Sequence, residues 1–264
     1  MNNTFNIQRF GLLLKRQWLE FGKTYLISLV VVLGVDVAFY VFNLYPFSGF
    51  SSETLEFRTP LFVLFGLLFI TAIASTYFAH LGQKPKAIID LLIPASTFEK
   101  FLGGILFAGI LSTISFVLIF YLTDLAFVSY MRSIFNDGEI SQTMPSVKEN
   151  LAYFFVDQAE RSHLLQPFYI APLMMTSIFL LGSVYFNKFH YIKTAISLMI
   201  FCGVWTAIIA KSGKLLFDNK IRSHHNMPMG IDKDNIEFLM TLLLIVLTVI
   251  FWAITYVRLK EKEV

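Results

Sequence analysis

Long apolar runs separated by short polar islands dominate the chain. Six windows, 25–44, 60–79, 101–125, 167–186, 194–210 and 235–256, are almost wholly apolar. Each is close to the roughly 20 residues that a helix needs to cross a hydrocarbon core of about 30 Å. Lipid offers no partner to backbone N–H and C=O groups, so every window is predicted to be helical. The window 194–210 is the shortest of the six. The expected fold is an all-α integral membrane protein with six transmembrane helices.

Ahead of the first window the pattern changes from continuous to helical. Phe10, Leu13, Leu14, Trp18 and Phe21 share one helical face, and Arg9, Lys15, Arg16, Glu20 and Lys23 share the other. Leu12 and Leu19 break the pattern. This predicts an amphipathic helix over 1–23 lying along the membrane interface, its basic face toward anionic headgroups. It would serve as an anchor, or as a lever that also touches a cytoplasmic partner. One membrane domain then fills 24–264, with polar connections at 45–59, 80–100, 127–166 and 211–234 and a tight turn at 187–193. Within 127–166, Val147, Leu151, Phe154, Phe155 and Leu164 suggest a further interfacial helix.

Composition agrees with this picture. Hydrophobic residues make up 56% of the 264 positions and charged residues only 15%, with a mean hydropathy of +0.66. Soluble domains carry about 25% charged residues. The net charge of +3 is too small and too scattered to point to nucleic acid. Twelve of the 21 Lys and Arg residues fall on segments that are inside if the amino terminus is inside, which favours cytoplasmic termini. The start, Met1-Asn2-Asn3-Thr4, lacks the order of a signal peptide, so an uncleaved chain is expected. The single cysteine, Cys202, lies in an apolar run and reads as a small buried packing residue.

The polar island at 84–101 carries the most information. Pro85 suits a helix first turn, and Lys86, Ala87, Ile88, Ile89, Asp90, Leu91 and Leu92 give about two turns. Pro94 prevents that short helix from running on into the next span. Ser96-Thr97-Phe98-Glu99 is a capping box: Ser96 can accept from the Glu99 amide while Glu99 reaches back to the Ser96 amide. Lys100 follows directly. Ile88, Ile89, Leu91 and Leu92 would form an unfavourable apolar patch in water unless protein or lipid covered them.

The run Leu92-Ile93-Pro94-Ala95-Ser96-Thr97-Phe98-Glu99-Lys100-Phe101 resembles the loop between the second and third spans in permeases of the type-2 ATP-binding-cassette (ABC) exporter superfamily. Ile93 stands where the usual residue is leucine. The motif covers about ten residues, whereas the six-span plan and amphipathic start cover nearly the whole chain. The resemblance implies an exporter subunit in the inner membrane of a bacterium. A coupling helix, here 84–92, would dock in a groove of a separate cytoplasmic ATPase through Pro85, Lys86, Ile88, Ile89, Asp90, Leu91, Leu92 and Pro94. It further implies a second permease copy, as homodimer or heterodimer. ATP and magnesium would be held by the partner ATPase, with no cofactor on this chain.

The chain has no phosphate-binding loop of its own. Ala210-Lys211-Ser212-Gly213-Lys214-Leu215 lacks the first glycine at the right spacing and the closing Ser or Thr. Asp36, inside the first window, is the best candidate for an intramembrane polar site, because a buried ionisable group is costly. Asp124 and Glu237 fall near span ends and are expected at headgroup level. His163, His224 and His225 show no metal-ligand spacing, so no metal site is expected, and His80 reads as interfacial. Phe65, Phe69, Tyr77, Phe78, Phe179, Tyr185 and Trp205 are expected to face lipid or to pack. The alternatives to a permease are a non-transport scaffold or sensor, and an intramembrane enzyme using Asp36 or the histidines.

Overall fold

The computed structural model describes residues 5–44, 57–134, 166–217 and 233–263, and every regular element among them is helical. Helix α1 covers Ile7–Leu44 and α2 covers Arg58–Tyr77. A 3-10 turn, Ala79–Gly82, leads into the short α3, Lys84–Leu91. Then α4 (Thr97–Gly104), a wide π turn (Ile105–Leu111) and α5 (Ser112–Ile134) follow without a break. Helices α6 (Gln166–Tyr185), α7 (His190–Phe217) and α8 (Lys233–Glu263) complete the described set.

Five of these helical stretches are long and apolar enough to cross a membrane: Ile7–Asn43, Arg58–Tyr77, Thr97–Tyr130, His190–Ser212 and Phe238–Lys262. The fold is therefore helical and of multi-pass membrane type. Helix α6 sits where the fourth span was expected, but its described apolar stretch, Ile170–Tyr185, is shorter. It also contains Pro172, which removes one helical hydrogen bond. The expected interfacial helix near Val147–Leu164, His163, His224 and His225 lie outside the described residues.

The amphipathic segment is not a separate element. Helix α1 runs unbroken for 38 residues, about 57 Å at 1.5 Å per residue. No proline interrupts it, and its apolar face continues from one segment into the next. Leu13 and Tyr25 are both buried, while Leu14 and Phe21 pack on the same core. Leu12 and Leu19, the two pattern breakers, are exposed.

Helix α2 is the central post, touching α1, α5, α6 and α7, while α8 packs along α6. The core is largely aromatic. Phe62 and Phe120 meet at 4.9 Å between ring centroids, and Phe69 and Phe116 stack at 6.3 Å. Phe69, Tyr77, Phe78 and Phe179 belong to this core rather than to a lipid face. The outward side of α7 and α8 is apolar and open, as at Met199, Ile200, Phe201 and Phe238. Cys202 lies on that open face of α7, so it is exposed and not a core residue.

Asp124 corrects a second expectation. It is buried rather than reaching headgroups, accepts a 2.6 Å hydrogen bond from the Tyr40 hydroxyl and pairs with Arg58. A carboxylate on an apolar helix is far less costly with a guanidinium beside it than alone. Here the guanidinium comes from the first turn of α2.

Candidate functional site

The joint between α2 and α4 is built by local rules. Tyr77 ends α2, and the 3-10 turn carries His80 and Gly82. Gln83 is extended, and α3 then starts with Pro85 in its first turn, where a missing N–H costs nothing. Helix α3 stops at Leu91, and Ser96 caps α4. Both bonds of the capping box are made: the Glu99 amide donates to Ser96 Oγ at 3.2 Å, and the Ser96 amide donates to Glu99 Oε2 at 2.9 Å.

Glu99 does more than cap. Its side chain is fully buried and also gathers the start of α1. Arg9 Nε donates to Oε2 at 2.8 Å, Arg9 Nη2 to Oε1 at 2.7 Å, and the Asn6 amide to Oε1 at 2.9 Å. Asn6 in turn accepts from the Gln8 amide at 2.9 Å through its side chain, the pattern of an N-cap residue. One carboxylate thus fixes the first turns of two helices. The ring of Phe5 lies edge-on to Phe98, and Phe98 and Phe101 both meet Tyr256 of α8.

Lys100 points the other way, to α3. Its Nζ donates to the Asp90 carbonyl at 2.9 Å and lies 3.4 Å from Asp90 Oδ2. The His80 ring stands on the other side of this carboxylate, with Nε2 3.8 Å from Asp90 Oδ1. Burial works against the Asp90 charge, but His80 and Lys100 more than offset it and hold the carboxyl below the usual carboxylate range. The back of α3 is thereby pinned by polar contacts. Its front is not: Ile88 is 58% exposed, Ile89 55% and Leu92 77%. Pro85 and Pro94 are exposed at either end, while the side chains of Lys86 and Leu91 lie outside the described residues.

Two close approaches bring the neighbouring elements in. A Cβ on Gly82 would sit 2.5 Å from the Asn187 carbonyl oxygen, so the turn between α6 and α7 leans directly on the 3-10 turn. Asn187 also accepts from Lys262 of α8 at 3.5 Å. A Cβ on Gly103 would meet the Gln17 and Tyr77 side chains at 2.9 and 3.1 Å, so α1 and α2 press on α4. Beside Asp90 a cavity of about 510 Å³ opens between α1, α2 and α3, with Arg16, Glu20, His80 and Gln83 on its walls.

The joint therefore gathers Pro85, Ile88, Ile89, Asp90, Leu92, Pro94, Ser96, Glu99 and Lys100 in one place. Asp36 is not among them. It lies 27 residues beyond Arg9 on α1, about 40 Å along the helix, fully buried, with no hydrogen-bond partner for either oxygen among the described residues. Sequence patterns missed Arg9, Asn6, His80 and Asn187 as members of the joint. Their contacts join distant parts of the chain, and no local periodicity announces them. Among the described residues no three His, Cys, Asp or Glu side chains gather as metal ligands would. The arrangement ties the ends of several helices to one short helix, α3. Comparison with family models, curated proteins and solved structures finds no match to this chain.

Proposed function

We propose that this chain is the permease subunit of an ABC exporter, moving a substrate across the cytoplasmic membrane of a bacterium. In this reading six helices span the bilayer, both termini are cytoplasmic and a second permease copy completes the pathway. ATP and magnesium belong to a separate ATPase. The observation that carries the proposal is the two-sided character of α3. Its polar back is pinned by Lys100 and Asp90, and Ile88, Ile89 and Leu92 are presented outward at the meeting point of several helix ends. An apolar helix face held out in this way suits a groove on a partner. A push on it passes through Lys100 to α4 and through Glu99 to α1.

The test is co-purification of the tagged chain with a cytoplasmic ATPase from its native host, with and without Ile88→Asp and Ile89→Asp. Loss of the ATPase from a variant that still folds supports the assignment. Retention at full strength removes it.

A further inference from the structure

The end of α6 gathers positive charge from its neighbours in space. Arg258 of α8 lies over the Tyr185 ring, with its guanidinium carbon 5.1 Å from the centroid. Lys193 of α7 lies over the Phe186 ring at 5.7 Å, and Lys262 of α8 reaches the Asn187 side chain at 3.5 Å. Three cations thus converge on three consecutive residues, and the exposed Lys188 follows in the turn.

Little negative charge answers them. Glu261 pairs with Arg258 at 2.7 Å, while α6 and α7 contain no Asp or Glu. Among the described residues, Lys193 and Lys262 meet no carboxylate. An aromatic face and an amide oxygen hold these ammonium groups in place without neutralising them. The turn beside them is strained: Phe189 has φ 56°, a left-handed conformation unusual for an aromatic residue, and its ring is 70% exposed. Beyond the cations the surface is apolar. Ile192, Ile196, Met199 and Ile200 are exposed along α7, and Ile254 and Val257 along α8. Both helices pack on α6, and on each the exposed apolar run ends at this cluster.

We propose that the end of α6 is a binding site for an acidic phospholipid. The phosphodiester is held by Lys193, Arg258 and Lys262, and the acyl chains cover the neighbouring faces of α7 and α8. Phe189 enters the same interface, where aromatic rings are favoured. A soluble anion would answer the charge and leave the apolar faces bare. A zwitterionic lipid would cover those faces but bring a cation of its own. An acidic phospholipid satisfies both. The site lies apart from α3 and stands whether or not a partner docks there.

Native mass spectrometry of the full chain in detergent, titrated with phosphatidylglycerol, tests the site. Phosphatidylglycerol is expected to bind at least about tenfold more tightly than phosphatidylcholine. Lys193→Gln alone should weaken it about fivefold, and Lys193→Gln with Lys262→Gln about thirty-fold. Both side chains are exposed, and so are those of Lys15 and Lys23 on α1. Lys15→Gln with Lys23→Gln removes the same charge and should leave the tightest binding unchanged. Equal losses from the two double variants overturn the proposal, as does full affinity in Lys193→Gln. Equal binding of phosphatidylcholine overturns it too. Glycerophosphoglycerol, the same headgroup without chains, and inorganic phosphate should bind at least about a hundredfold more weakly. If either binds as tightly as the lipid, the site takes a soluble phosphate and the lipid assignment falls.

Discussion

Arg9 and Glu99 lie 90 positions apart in the chain and meet as a two-pronged ion pair, with N–O distances of 2.8 and 2.7 Å. Glu99 is at the same time the third residue of its own helix and half of a capping box. Substituting it therefore removes a local and a long-range contact together. Glu99→Gln should lower the thermal midpoint in detergent more than Ser96→Ala does. The latter removes only a cap, worth about 1 kcal/mol. Fluorescence of Trp18, on the same helix as Arg9, reads the difference in a background carrying Trp205→Phe and Trp252→Phe.

At the opposite end of the same helices, Asp124 holds Tyr40 and Arg58 in a buried cluster. Asp124→Asn should destabilise by up to about 3–5 kcal/mol, because it removes the negative charge that the buried Arg58 guanidinium pairs with. The double variant Arg58→Met with Asp124→Leu should recover much of that loss. A double-mutant cycle on thermal unfolding measures the coupling.

Asp36 is buried, and among the described residues no group hydrogen-bonds either of its oxygens. If its role is purely structural, Asp36→Asn should be neutral and Asp36→Val should stabilise, by about 1–3 kcal/mol of desolvation no longer incurred. A stabilised variant that has lost cargo flux in proteoliposomes would mark Asp36 as a functional group retained at a cost in stability.

Gly82 faces the Asn187 backbone with no room for a methyl group. Gly82→Ala should push the two turns apart, with an overpacking cost of about 1–3 kcal/mol. The expected signature is faster proteolysis within 80–95 and weaker retention of any partner on α3.

The Asp90 carboxyl carries a pH signature of its own. Its folded value lies below the unfolded one, so its stabilising contribution is complete above about pH 4. It is lost as pH falls through the lowered folded value. Asp90→Asn should weaken α3 at neutral pH and make it indifferent to further acidification in that lower range. Hydrogen exchange of the α3 amides, read by mass spectrometry, provides the measurement.

Much of this architecture was legible in the sequence. Apolar run length located each described long helix to within several residues at most ends, because membrane burial imposes one simple rule on composition. Pro85, Pro94, Ser96 and Glu99 located the joint, because turns and caps are made by neighbours in sequence. Helix α1 was misread as two elements, since a change from amphipathic to apolar pattern looks like a boundary even when the backbone continues. Cys202 was misplaced because an apolar run does not say which face meets protein and which meets lipid. The partners of Glu99 and Asp124 came from Arg9, whose charge was expected to face lipid headgroups, and from Arg58, which lies in the polar connection ahead of the second span.

The wide turn at Ile105–Leu111 separates α4 from α5 within one continuous helix. Ser112 and Thr113 turn their hydroxyls back onto the Ala108 and Gly109 carbonyls there. A straight rod from Thr97 to Ile134 would carry any tilt imposed at its capped end rigidly to the other. A π turn is a point where helices bend. Centred about three-tenths of the way along, it is the point where a short arm gripped by Glu99 and Lys100 meets a long arm packed in the aromatic core.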